Sequence, residues 1–582
     1  MRANFALRIR YIAIAFAFIA IVIIVRLYLV QIVHGSEYRD KAANQHVAPS
    51  SHVLDRGTIY FTAKDGSLIS AATLKSGFTI ALNPRLLKDP ESAYEKLHAI
   101  IPELNRDEFM EKASKKNDPY EELGRRFDEE VGMAVLALKT PGIEAYRERW
   151  RFYPGGSLAG HEIGFLGFGK GTSTVETGQY GLERSYETAL SKKGTGSSMN
   201  FFADLFTNVG SRFFSNEADP GADVVTSIEP TVQAYLEDTL SAYDSKWNAK
   251  TIGGIIMDPK TGAILAMASR PVYDPNDFKN ADPRALSNPL VEGTFEFGST
   301  MKPITMAAAL DSGAVTPRTT YNDTGTLTID KKTFSNFDGK ARGVVPMQEI
   351  LSQSLNVGIA FIVQKMGTDT TREYFEKFGI TEETGIDLPS EQSPQVANLD
   401  SPRTIEYITA GYGQGIAITP VGMARALATL ANHGQVPAPH VGTELRYPGG
   451  ITKDLGWAPP RQAIRPETSE TVTRMLVTVV DTALRHGEVR IPEMSVAAKT
   501  GTAQIANPNG GGYYADRYLH SFFGYFPAYE PRFLVFFFAV EPVGAKYASE
   551  TWTDPFIKTV GFLTTYYQVP PDRPQTATTT KP

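Results

Sequence analysis

Apolar and polar positions change period several times along the chain, and each change marks an element. "YIAIAFAFIAIVIIV" runs from Tyr11 to Val25 without a charge, and "LYLVQIV" continues to Val33 after Arg26. A membrane span needs about 20 mainly apolar residues. Arg2, Arg8 and Arg10 precede the run, so the pattern predicts an anchor over 11–33 with residues 1–10 left in the cytoplasm. The first run alone has the length of a signal-peptide core, but apolar residues persist past Arg26 and no small-residue cleavage site follows at once, which favours an uncleaved anchor. A polar linker, "HGSEYRDKAANQHVAPSSH", comes next. "SGFTIALNP" (76–84) reads as a strand, and the charged stretch from Ala93 to Phe127 as a helical region. Turn formers flanked by charge in "SNEADPGADVV" mark a boundary near 221.

Beyond that boundary "SIEPTVQAYLEDTLSAYD" is an amphipathic helix with Pro230 in its first turn. "TIGGIIMDPKTGAILAMAS" is two apolar runs joined by Asp258-Pro259-Lys260-Thr261-Gly262, a β-hairpin signature. "RFLVFFFAVEP" is a strongly apolar strand. The end, "PPDRPQTATTTKP", has the composition of a disordered tail. The expected organisation is α+β and multidomain: tail 1–10, anchor 11–33, irregular stem 34–220, a larger mixed domain 221–568, and a disordered segment 569–582.

Bulk numbers narrow the function. At 582 residues the chain exceeds one ordinary core, and 42% hydrophobic with 21% charged residues fits a globular protein. A net charge of −6 with no long basic patch sets nucleic-acid binding aside. No cysteine is present, which excludes disulfides, thiol nucleophiles and cysteine-ligated zinc. The nine histidines show no His-Glu-x-x-His spacing, and His433 and His440 lie in a Pro- and Gly-containing stretch, so no metal site is expected. "YPGGSLAGHEIGFLGFGKG" lacks the order of a phosphate loop and reads as loop and strand.

Three short motifs carry candidate chemistry. "FEFGSTMKPITMAAALDSG" holds the only Ser-x-x-Lys, Ser299 and Lys302. Pro303 is tolerated only in a helix's first turn, so both residues belong at a helix start on one face, where the dipole favours negative charge on the serine oxygen and a neutral lysine could take its proton. The structural alternative is a serine cap beside a solvated lysine. "LSQSLNVGIAFIVQKMG" places Ser354 and Asn356 before a helical pattern; Ser198 and Asn200 match the same spacing. Lys-Thr-Gly occurs twice. The copy at 260–262 is turn chemistry; the copy at 499–501 ends a β-prone run and continues as Thr502. There Lys499 supplies positive charge, Thr500 and Thr502 offer hydroxyls to a carboxylate, and Gly501 admits close backbone approach. A charge at Lys499 would also help to keep Lys302 neutral.

Ser-x-x-Lys, Ser-x-Asn and Lys-Thr-Gly-Thr in that order resemble a class B penicillin-binding protein, a membrane-anchored peptidoglycan D,D-transpeptidase. The likeness extends to "RFYPGGSLAGHEIGFLG", "YGLERSYE", "MDPKTGAILAMASRPVYDPN" and "YGQGIAITPVGMARALATLANHG". Two departures stand out: Phe297-Gly298-Ser299 replaces the usual Pro-Gly-Ser, and "FTAKDG" stands where Asp-Arg-Asn-Gly usually follows Arg56-Gly57. The resemblance implies a dimerisation-type pedestal over 34–220 and a serine β-lactamase-like domain, an antiparallel sheet flanked by helices. It also implies that Ser299 attacks the D-Ala-D-Ala carbonyl, Lys302 accepts its proton, and Ser354 hands a proton to the departing D-alanine. Asn356 orients the peptide, Lys499, Thr500, Gly501 and Thr502 bind it, and the backbone N–H groups of Ser299 and Thr502 form the oxyanion hole. No metal or cofactor is implied. The implied partners are peptidoglycan stem peptides (lipid-linked or on nascent glycan), β-lactam inhibitors, the membrane, and a polytopic glycan polymerase with other division or elongation proteins. Length and a modest stem lean towards division. Other readings are a D,D-carboxypeptidase or β-lactamase-like hydrolase, and a non-catalytic β-lactam-binding scaffold.

Overall fold

A computed structural model describes residues 55–168, 176–191 and 221–573. The expected cytoplasmic tail, the anchor over 11–33, the linker to 54, Ser198, Asn200 and the end from 574 lie outside these residues. Among the described residues no helix is long and apolar enough to cross a membrane.

The apolar run near the C-terminus explains the main architecture. Five strands, β1 (Thr251–Met257), β2 (Ile264–Arg270), β3 (Ala497–Ala506), β4 (Tyr513–Phe526) and β5 (Phe533–Val540), form an antiparallel sheet in the order β3-β4-β5-β1-β2. Central strand β5 is buried on both faces. Phe533, Val535, Phe537 and Ala539 enter one core with α1 (Pro230–Trp247) and α6 (Thr553–Tyr566). Leu534, Phe536 and Phe538 enter the other, which includes α2 (Lys302–Asp311), α3 (Asn356–Met366), α4 (Pro420–Ala431) and α5 (Pro466–Thr478). Two buried faces require a continuous apolar run rather than an alternating one.

Local chemistry fixes the ends of these elements. Helix α1 starts with Pro230 in its first turn, and the Glu229 carboxylate accepts the N–H of Val232 at 2.7 Å. The β1–β2 connection is the expected hairpin: Asp258 N–H donates to the Ala263 carbonyl at 2.9 Å, and Gly262 N–H donates to the Asp258 carbonyl at 2.9 Å.

The described residues divide into two compact units: 55 and 74–151 in one, and 56–73, 152–168, 176–191 and 221–573 in the other. The smaller unit has its own core of Ile80, Leu82, Leu97, Phe109 and Val135. Its helices Pro90–His98 and Arg106–Ser114 are capped by Asp89 and Asn105. The last part of the expected helical stretch is instead a strand, Glu121–Phe127, paired antiparallel with Phe78–Leu82. The helix stops at Ser114, a turn through 115–119 follows, and Leu123 and Phe127 of the strand pack on that core.

In the larger unit Arg56 is buried, its guanidinium donating to Glu183 at 2.7 Å and Glu187 at 2.8 Å. Residues 570–573 of the expected disordered tail are held as well. The Asp572 carboxylate accepts from Ser495 N–H at 2.6 Å, and Arg573 donates to both oxygens of Asp481 at 2.9 Å.

Candidate active site

Ser299 sits in a 3-10 turn, Gly298–Met301, that runs directly into α2, where Lys302 and Pro303 occupy the first positions. Burial of Phe297 and Met301 on either side pins this turn to the core. Its backbone is also tied outward: Phe297 C=O accepts from Ser521 Oγ of β4 at 2.8 Å, and Gly298 N–H donates to the Gly413 carbonyl at 3.0 Å. Ser299 remains half-buried.

Lys302 is fully buried, and its Nζ donates to the Ser354 carbonyl at 2.6 Å and to Ser354 Oγ at 3.1 Å. Lys499, 3% exposed, reaches the same hydroxyl from β3 at 3.2 Å and also donates to the Thr500 carbonyl at 3.0 Å. Two lysines therefore meet on one serine. Charged ammonium groups taken out of water this far are costly, so they shed protons. Burial first, and the Lys499 charge second, hold Lys302 well below the usual lysine range; burial brings Lys499 down to about 7. A neutral Lys302 has two N–H bonds and one lone pair. Ser354 takes the two N–H groups, and the lone pair remains for a third partner.

Ser354 carries φ +56°, a left-handed backbone rare outside glycine, and this turns both its carbonyl and its hydroxyl to Lys302. Asn356 opens α3, with its Nδ2 donating to the Ser335 carbonyl at 2.8 Å.

Strand β3 lies at the edge of the sheet, which leaves alternate backbone groups unpaired. Strand alternation puts Lys499 and Gly501 on one side. A Cβ at Gly501 would stand 2.5 Å from the Phe297 carbonyl oxygen and 2.9 Å from the Thr300 nitrogen, so only glycine lets the strand press against the serine turn. Thr500 and Thr502 are half-buried, and Thr502 Oγ1 accepts from Ala548 N–H at 3.0 Å.

The first Lys-Thr-Gly does none of this. Lys260 is a hairpin residue facing Glu530 at 3.4 Å, with both side chains exposed. Contributions missed in the sequence are the Ser521 and Gly413 ties of the serine turn, together with Asp323 and Asn336 behind Ser354; none has a local signature. His433 and His440 form no metal cluster, and no such cluster exists among the described residues.

Two buried lysines meeting on Ser354, close in the fold to a second serine at a helix start, suit a serine acyltransferase, and comparison with known proteins gives the site a family. The penicillin binding protein transpeptidase domain matches residues 252–560. Stage V sporulation protein D of Bacillus subtilis is 28% identical over 549 residues, covering 92% of this chain and 82% of that protein. Peptidoglycan D,D-transpeptidase FtsI of Escherichia coli is 26% identical over 425 residues, 73% of this chain and 68% of that one. The crystal structure of penicillin binding protein 3 from Mycobacterium tuberculosis, complexed with aztreonam, superposes with a TM-score of 0.65 at 26% identity, covering 74% of this chain and 92% of that one. The chain belongs to the penicillin-binding protein transpeptidase family, as a class B member of the cell-division type.

Proposed function

We propose that this peptidoglycan D,D-transpeptidase works through Ser299. The supporting observation is the Ser354 hydroxyl, held between Lys302 at 3.1 Å and Lys499 at 3.2 Å. The Ser299 hydroxyl adds to the carbonyl between the two terminal D-alanines of a stem peptide, and its proton passes to the Lys302 lone pair. Ser354 Oγ accepts hydrogen bonds from both lysines, so its own proton is free to go to the departing D-alanine nitrogen, and Lys302 replaces it. The backbone N–H groups of Ser299 and Thr502 stabilise the oxyanion, each such donor being worth about 3 kcal/mol. Lys499, Thr500, Gly501 and Thr502 hold the peptide, and Asn356 orients its amide. An amine of a neighbouring peptide then attacks the ester carbonyl, Lys302 takes its proton and returns it to Ser299 Oγ as the acyl–oxygen bond breaks, and the cross-link forms.

The same reading extends to the rest of the chain. Residues 11–33 anchor it in the cytoplasmic membrane, 34–220 serve as stem, and 221–568 carry the chemistry outside, at a septum shared with a polytopic glycan polymerase. β-Lactams, among them aztreonam, present a strained amide to Ser299 and remain attached.

A fluorescent penicillin should label the wild type and leave Ser299→Ala dark, with the adduct mapping to a peptide containing Ser299. Labelling of Ser299→Ala at the wild-type rate would overturn the assignment. Incubation of a stem-peptide donor with and without an acceptor amine separates cross-linking from hydrolysis: a product appearing only with the amine is expected, and release of free acid alone would make the enzyme a carboxypeptidase.

A further inference from the structure

Behind the Ser354–Asn356 turn lies a polar network that the chemistry above does not use. The Asp323 carboxylate is fully buried at the end of strand Thr320–Asp323. It accepts Asn336 Nδ2 on both oxygens at 3.0 Å and Arg342 N–H at 2.9 Å. Asn336, 1% exposed, also donates to the Lys340 carbonyl at 3.2 Å, and its Oδ1 accepts the N–H of Val357 at 3.1 Å. Val357 is the second residue of α3, so its N–H is one of the helix's orphan donors. One residue earlier, the Ser335 carbonyl holds Asn356 Nδ2. Residues 335 and 336 close the hairpin Thr326–Ile329/Lys332–Ser335, whose tip, Asp330, is docked by the N–H of Ile405 at 3.1 Å.

The C-terminal end of the Ser-x-Asn turn, Asn356 and the Val357 N–H that follows it, is therefore held by two neighbouring residues, two positions from Ser354. The left-handed conformation of Ser354 is unfavourable by itself and persists only if its surroundings over-determine it. We infer that Asn336, oriented by Asp323, is a positioning residue for acylation: it fixes the start of α3 and thereby the Ser354 hydroxyl between the two lysines. Every donor and acceptor in this chain has one geometry, because an amide gripped by both oxygens of a buried carboxylate cannot turn without leaving a group unpaired.

The inference rests on the Ser299 reading, and the test keeps the two apart. The probe is a fluorescent penicillin on the full chain in detergent, with labelled amplitude, initial binding constant and acylation rate constant read separately. Wild-type labelling that Ser299→Ala abolishes establishes the site reading. Against that control, Asn336→Ala and Asn336→Asp should lower the acylation rate constant of the labelled fraction about 10- to 100-fold, with the binding constant unchanged within about threefold, because displacements of about 1 Å near reacting atoms have effects of this size. The exchange Asp323→Asn with Asn336→Asp preserves the carboxylate–amide contact and an acceptor for Val357 but not the donor to the Lys340 carbonyl, and should recover part of the rate lost in Asn336→Asp. A purely structural role would lower the labelled amplitude at a wild-type rate constant. That result, or a double variant as slow as Asn336→Asp, would overturn the inference.

Discussion

The tripeptide Lys-Thr-Gly occurs twice, and the two copies have different fates. At 260–262 it closes the β1–β2 hairpin at the surface; at 499–501 it lies along an edge strand facing a buried serine turn. Side-chain chemistry is identical, so the difference comes from burial and neighbours. Lys260 is 44% exposed and faces one carboxylate, whereas Lys499 has lost its water and reaches a hydroxyl. An exposed pair of the first kind is worth about 0–1 kcal/mol. A buried amine of the second kind changes its protonation state.

The comparison is broken most directly at the lysines. Lys499→Ala should slow penicillin acylation by a factor of about 100 to 1,000, the usual effect of losing one preorganised donor, while Lys260→Ala should stay within about twofold of wild type in the same assay. The glycines come next. Gly501→Ala forces the serine turn away from β3 and should reduce the acylation rate constant about 100-fold. Gly262→Ala meets φ +87° and the Ala438 carbonyl oxygen at 2.2 Å, so it should destabilise the fold by about 1–3 kcal/mol in thermal unfolding and leave the rate constant of the folded fraction intact.

How much of this was legible before the fold was known follows from the range of the interactions. Asp258-Pro259 and Gly262 specify a turn within six residues, and the hairpin is there. Pro303 and the alanine run specify the start of α2, so Ser299 and Lys302 fall where local rules put them. The strand Glu121–Phe127 was masked by its charges, since pairing with Phe78–Leu82 decides it. The same holds for Asp323 and Asn336, which matter only because α3 begins beside them. The family resemblance supplied roles for the motif residues, but it said nothing of this hydrogen-bonded support.

pH sharpens the contrast further. Acylation needs neutral Lys302, so the rate should fall as pH drops through its lowered pKa and level off above it. In Lys499→Gln the like charge is gone, Lys302 holds its proton to higher pH, and the acid limb of the normalised profile should move towards alkaline values. A stability effect accompanies it. Between about 7 and the ordinary lysine value of 10.5 the unfolded chain binds a proton at Lys499 that the native chain does not. Wild-type stability should therefore rise with pH across that window, and Lys499→Gln should lose this part of the slope. The smallest effect belongs to the surface copy: Glu530→Gln, which removes the partner of Lys260, should shift the midpoint of thermal unfolding by no more than about 2 °C.

The strained backbone at Ser354 is tied to the site by its own hydroxyl. Glycine there would sit at φ +56° without strain, yet it would strip the pair of lysines of their common oxygen and leave buried N–H groups unpaired. Relief of the left-handed conformation is thereby offset, so selection for heat resistance alone gives such a replacement no advantage, and it would be idle as well.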